Sequence, residues 1–170
     1  MKNEYFNFTI SAHFVNEINF ANPEGIRSLN GEEAPTVEVN VHVDSSPLSE
    51  YFYESKLIIK FNATRKLIKD GTSEAEQVIA FIGYISYSTI VNIIYPKDLL
   101  LANLEEKEEM ERRERLRFTL MVEAPNLAFP FIRHQVANIT KDGGFPPLLI
   151  NPIDFTEMYY KNTIDAENQE

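Results

Sequence analysis

The chain has 170 residues, 44% of them hydrophobic, no cysteine and a formal net charge of −10. That length fits one domain with a real core, and no run of about 18 apolar residues offers a membrane span. The missing cysteines exclude disulfide frameworks, thiolate metal sites and cysteine nucleophiles, while the acidity argues against a nucleic-acid backbone as partner. The first ten residues, MKNEYFNFTI, place acidic and polar groups where a signal peptide needs an apolar stretch. The expected compartment is therefore the cytoplasm. The glycosylation-type triplets at Asn7, Asn62 and Asn138 then count as chance matches.

Four strand signals come first. Phe6, Phe8, Ile10, Ala12 and Phe14 alternate with polar residues, which predicts one strand with those five side chains on a single face. Asn22-Pro23-Glu24-Gly25 ends it, and the stretch to Pro35 is long enough to predict a crossover instead of a tight hairpin. Val37, Val39, Val41 and Val43 alternate with Glu38, Asn40, His42 and Asp44 in a second strand, broken at Ser45-Ser46-Pro47. Tyr53, Leu57, Ile59, Phe61 and Ala63 mark a third, and the Asp70-Gly71 turn leads to a fourth over about 75–90. The fourth is apolar on both faces around Val78 to Ile85, as a doubly covered strand or a subunit contact would be.

After Pro96 the period changes to that of a helix over 97–121. Leu99, Leu100, Leu101 and Leu104 give it an apolar start, and Leu116, Leu120 and Met121 an apolar end. Its middle carries the i,i+4 pairs Glu108–Arg112, Glu109–Arg113 and Glu111–Arg115, and projects into solvent. Pro125 is expected to stop this helix. A second helix is expected from about 126 to 141, bent by Pro130 and buried on the side of Leu127, Phe131, Ile132, Val136 and Ile139. Asp142-Gly143-Gly144 is its stop signal. Three prolines, Pro146, Pro147 and Pro152, forbid helix until Asp154, which can cap a last helix through Tyr160. The polar tail from 163 is expected to fray.

Catalytic patterns are absent. His13 and His42 fall on polar strand faces and His134 on a helix, none with a ligand-like neighbour at i+4. No serine sits in a Gly-x-Ser-x-Gly elbow, and Gly143-Gly144 lacks the lysine and spacing of a phosphate loop. The carboxylates lie mainly on solvated strand faces and in the charged helix. No enzyme activity, cofactor or metal is expected. Phe145, Leu148, Ile150, Phe155 and Tyr159 are candidates to wall an apolar groove, with core packing as the rival role. Phe129 and Phe131 are assigned to the core.

Three proline-rich blocks, Pro125 to Pro130, Gly144 to Leu148 and Asn151 to Phe155, frame one amphipathic segment. This layout resembles the SecB family of export chaperones, which reads Pro-Asn, Leu-Phe-Pro-Tyr-Ala-Arg, a helix, Gly-x-Phe-Pro-x-Leu, then Pro-Val-Asn-Phe. Glu17-Ile18-Asn19-Phe20 with Pro23, the Pro35-x-Val37 strand and Gly83-Tyr84-Ile85 extend the likeness over roughly residues 5 to 162. The resemblance implies an α+β fold, a four-stranded antiparallel sheet with long helices packed on one face, in one domain spanning 1–170 with a charged helical insert at about 97–117. It implies an ATP-independent holdase that binds unfolded polypeptide clients and passes preproteins to the SecA motor. It also implies a homo-oligomer, dimer or homotetramer, with no membrane insertion. Glu17 matches one of the family's SecA-docking acids. Ala21 stands at a second such position, and no acid stands around Val78-Ile79, so docking through other acids such as Glu38 is one alternative. A chaperone dedicated to one client, such as an antitoxin, is another. A small-molecule-binding protein is the remaining one.

Overall fold

The computed structural model describes residues 5–30, 33–68, 74–96 and 105–167, with side chains to 163. Strands β1 (Asn7–Ala21), β2 (Thr36–Pro47), β3 (Phe52–Ile68) and β4 (Ala75–Ile94) form one antiparallel sheet in the order β1-β4-β3-β2. β1 and β2 thus occupy opposite edges, so the chain between them does cross over. It carries the short helix α1 (Ile26–Leu29). Helix α2 (Glu106–Phe118) runs through a π-turn (Thr119–Glu123) into α3 (Ala124–Asp142), and α4 (Phe155–Glu167) closes the described chain. The expected turn at 69–72, the leucine-rich helix start at 97–104 and the tail from 164 lie outside the described residues or side chains.

The alternation of β2 and β3 sets the two faces. Leu57, Ile59, Phe61 and Ala63 of β3 and Phe81 and Ile85 of β4 are buried against Ala128, Phe129, Ile132 and Val136 of α3. Each aliphatic side chain fully buried there contributes about 1.5–3 kcal/mol. A smaller cluster, Phe6, Val91, Ile93, Leu120 and Ala124, seals the other end. β4 has a neighbour on each side and is the most buried strand, but its apolar run is covered on one face only: Ile79 and Ile82 are exposed, and the stretch buried on both faces is 85–89, with Ser86 and Ser88 on the second face. Gly83 allows the closest approach in this layer. A Cβ there would sit 2.0–2.6 Å from the Phe61 ring. Gly83→Ala is therefore expected to lose about 1–3 kcal/mol by overpacking, read as a lower urea midpoint with an unchanged slope.

Two sequence expectations fail for identifiable reasons. The first concerns β1. Its pairing with β4 shifts between Ile10 and Ala12 and again between Val15 and Glu17. Each bulge flips the following side chains to the other face. Ala12 and Phe14 therefore leave the face of Phe8 and Ile10, and His13, still exposed, turns to the side that faces α3. Its ring lies tilted 4.6 Å from that of Phe131, and Nδ1 is 2.5 Å from the Tyr87 hydroxyl. The second concerns Pro125, which does not stop the helix. It stands at the first turn of α3, directly after the π-turn, where a missing N–H is tolerated. The carbonyl of Leu120, in the turn just before it, accepts the buried Ser55 hydroxyl at 2.6 Å. Helix 106–142 is thus continuous, and its irregular turn is bonded to the sheet.

The charged segment also pairs differently from expectation. Glu109–Arg113 forms at 2.5 Å, but Arg112 lies over the Tyr95 ring and Glu111 accepts from the Tyr5 hydroxyl. Arg115 reaches forward to Glu123 instead of back. The helix opens on a capping box between Glu105 and Glu108. Leu127 and Phe131, expected inside, are about half exposed, while Ala128 and Phe129 take the buried positions.

Candidate functional site

The layer beside the last helix is built by four segments. The crossover is pinned first. The Ser28 hydroxyl is buried and lies within hydrogen-bond reach of Asn22 Oδ1, Arg65 donates to the carbonyls of Ser28 and Glu33, and Arg27 pairs with Glu24 and Glu76. This holds α1 against the ends of β3 and β4, with Ile26 and Leu29 left exposed. The Leu29 side chain lies over Gly144, where a Cβ would sit 3.2 Å away, and Phe20 covers Gly143. Gly144 has φ +88°, a left-handed conformation that favours glycine, so the stop signal read from Asp142-Gly143-Gly144 ends α3 as expected.

The chain then runs without regular structure to Asp154. Leu148 N–H donates to the buried Thr140 hydroxyl at 2.9 Å, which fixes this arm against α3. Asp154 Oδ1 accepts from Glu157 N–H at 2.9 Å and caps α4, as its position predicts. Within this frame Phe145 meets Phe81 edge-on at 4.7 Å, and Phe155 meets Phe129 at 6.0 Å. Phe145, Ile150, Phe155 and Tyr159 are all buried in the main core, with Phe155 only 1% exposed. Leu148 is half-buried at the rim, and its neighbour Leu149 is 65% exposed.

The side chains that line the open surface are therefore partly others. Phe20, Val37, Val41, Leu148, Ile153 and Met158 pack on the core while keeping part of their surface in water. They come from β1, β2, the arm and α4. The sequence carried a signal for the β2 members. Four alternating valines on an edge strand have cover from only one neighbouring strand. Of the sequence's groove candidates, Phe145, Ile150, Phe155 and Tyr159 are core side chains in this conformation, and Leu148 is partly buried at its edge with the other five.

The opposite face of the sheet is flat and mixed. Cross-strand pairing puts His42, Ile58, Ser86 and Glu17 in one row and Glu38, Asn62, Ile82 and Ala21 in another. Glu17 is exposed there and accepts from Asn19 Nδ2 at 2.8 Å. Glu38 stands at the other edge, three strand spacings or roughly 14 Å across the sheet. On the same face Ile79 and Ile82 are exposed apolar groups.

In the middle of that face Asn16, the bulge residue, donates to Ser88, and Ser88 donates to Glu54 Oε1 at 2.5 Å. The Ser88 hydrogen bond holds the Glu54 carboxyl below the ordinary carboxylate range, helped by Lys56 and opposed by burial. A depressed carboxylate stabilises the fold above its ordinary value and loses that contribution as pH falls. Wild type is thus expected to exceed Glu54→Gln in stability at neutral pH, with the gap closing below about pH 4.5. Urea titrations at several pH values read this directly.

A cavity of about 220 Å³ opens between β1 and α3, lined by Ile10, His13, Thr89, Leu127, Ala128 and Phe131. Among the described residues, no group of three or more potential metal ligands comes together, and no helix is long and apolar enough to cross a membrane.

Comparison with known proteins agrees with this architecture. The family model described as preprotein translocase subunit SecB matches residues 1–166. The protein-export protein SecB of Agrobacterium fabrum is 31% identical over 160 residues, covering 93% of this chain and 84% of its own length. That of a Wolbachia strain from Drosophila simulans is 34% identical over 163 residues, covering 88% and 86%. In fold, the chain is similar to a SecB-like chaperone of Mycobacterium tuberculosis solved in complex with a ChAD peptide from the HigA1 antitoxin. The TM-score is 0.57 at 10% identity, over 86% of this chain and 90% of that one. With the antiparallel sheet, the crossover and the proline-framed arm in place, the chain belongs to the SecB family.

Proposed function

We propose that this chain is an ATP-independent holdase that binds unfolded preproteins or other non-native polypeptides in the cytoplasm and hands them on for export. One observation carries the reading. Partly buried apolar side chains from β1, β2, the arm and α4 pack against a buried aromatic core and keep part of their surface in water. An extended client offers alternating apolar side chains and free backbone groups, and a shallow apolar rim accepts many such sequences. Holding a client needs no bond to be made, so the proposal includes no cofactor. Phe145, Leu148, Ile150, Phe155 and Tyr159 are the groove residues of this reading, with Leu148 meeting clients first. The unit is one SecB-like domain in which α2 is a charged insert.

We read the working form as a homo-oligomer, dimer or tetramer. Support comes from the long open edge of β1 and the exposed Leu127 and Phe131 beside the cavity. The outer sheet face is the proposed contact for SecA, with Glu17 as the docking acid. Light scattering of the pure protein with and without a permanently unfolded client tests holding and assembly together. A soluble complex larger than either component is expected. Free protein and free client side by side contradict the reading.

A second reading keeps the fold and narrows the client to one protein, such as an antitoxin. The apolar Ile79 and Ile82 on the same sheet face as Glu17 favour it, because they make that face poorer in acids. Capture from lysate under native conditions separates the two. Many unfolded species on the protein favour the broad holdase, and one stoichiometric partner the dedicated one.

A further inference from the structure

Three side chains near the end of α2 converge on one residue of α4. Glu114 Oε1 accepts a hydrogen bond from the Tyr159 hydroxyl at 2.7 Å, Arg117 lies 5.6 Å from the Tyr159 ring centre, and Phe118 meets that ring edge-on at 5.8 Å. Burial, and then the Glu114 carboxylate, hold the Tyr159 hydroxyl in its protonated, donating form. The direction of α2 is itself fixed by a clamp across the π-turn. Arg115 Nη1 and Nη2 reach Glu123 Oε2 and Oε1 at 2.7 and 3.1 Å, and Nη1 also donates to Thr119 Oγ1 at 2.7 Å. A π-turn interrupts the regular bonding of a helix, so the segment before it takes its aim from whatever bridges the interruption. On its other side α4 lays Phe155 over Phe129.

We propose that α2 is a keeper for α4: Glu114, Arg117 and Phe118 hold Tyr159 down, Arg115 and Glu123 are positioning residues that aim them, and release of this contact opens the aromatic core to a client. The inference rests on the client-holding reading. Phe129, Phe155 and Tyr159 are among the largest apolar side chains of this layer, and each is covered only while α4 is docked. A client that uses them must compete with the keeper. Weakening the keeper then strengthens client binding, the opposite of what loss of a client contact does.

The test uses the full chain with Glu114→Ala and the milder Tyr159→Phe, which keeps the ring. Amide hydrogen exchange over 157–163 reads docking, and titration with reduced, carboxymethylated lactalbumin reads client affinity. Each variant is expected to speed exchange in α4 about tenfold and to tighten client binding about three- to tenfold. The double variant should add nothing to either single, and Glu123→Gln should shift both readouts the same way. Unchanged exchange, or faster exchange with equal or weaker client binding, overturns the proposal. If wild type binds the client and the variants match it, the keeper alone fails. If neither wild type nor variants bind, the holdase reading fails and the keeper with it.

Discussion

Phe155→Ala is expected to lower the unfolding free energy by about 3–5 kcal/mol. The residue is among the largest fully buried side chains of the chain. It stands at the first turn of α4 and meets Phe129 edge-on. Truncation removes the transfer energy of an aromatic ring and leaves a void walled by α3, which cannot collapse because Ile132 and Val136 are already packed on the sheet. Phe155→Leu keeps most of the volume and is expected to cost less than about 1.5 kcal/mol. Urea unfolding at fixed protein concentration measures both. A cost below about 1 kcal/mol for the alanine variant means that Phe155 is not core.

Glu123→Ala carries the second large effect. Arg115 is 6% exposed, and its Nη atoms reach Glu123 and Thr119. Removing the acid takes the carboxylate from a buried cation that lies 5.7 Å from the Phe6 ring. Breaking a buried pair from one side costs about 3–5 kcal/mol, and the partial exposure of Glu123 brings the expected loss to about 2–4 kcal/mol. Arg115→Met is expected to cost less, because the acid left behind can reach water. That asymmetry, read by urea unfolding of the two single variants, distinguishes a desolvated clamp from a surface ion pair, for which both changes stay within about 1 kcal/mol.

The element types were legible because the periods are clean. Four alternating valines in β2 and the charged run of α2 allow few other readings. What sequence periodicity misplaced was register. A bulge adds one residue without any compositional mark, so nothing in Ser11 or Asn16 announces that His13 turns to the α3 side or that Phe14 turns away from it. Pro125 misled for a related reason. Proline ends a helix only where its missing N–H leaves an uncompensated loss, and at the π-turn the freed backbone is used elsewhere, with Ser55 bonding Leu120. Ser55 lies 65 residues away from that carbonyl, so no local pattern contains the pairing.

The arm between the last two helices was legible as a region, the packing of its side chains less so. Proline spacing correctly placed a fixed arm between two helices, and Asp154 as the cap of the last. It did not separate core from rim. Phe145 and Leu148 are three residues apart in the same arm, yet one is buried against Phe81 and the other keeps part of its surface in water. That division follows from Gly144 and from the Leu148–Thr140 hydrogen bond, which together set the arm's rotation. Arg115 was read as a partner of Glu111, four residues back, because i,i+4 rules assume a regular helix. Across a π-turn, a partner eight residues ahead comes within reach.

The most direct measurement is the refolding of a slow-folding, unrelated protein diluted from denaturant with this chain at stoichiometric amount and no nucleotide. A holdase of the SecB family delays or arrests recovery of the native signal, and the delay grows with the concentration of this chain until client sites are filled. Recovery at the same rate and to the same extent as without it would contradict the central claim.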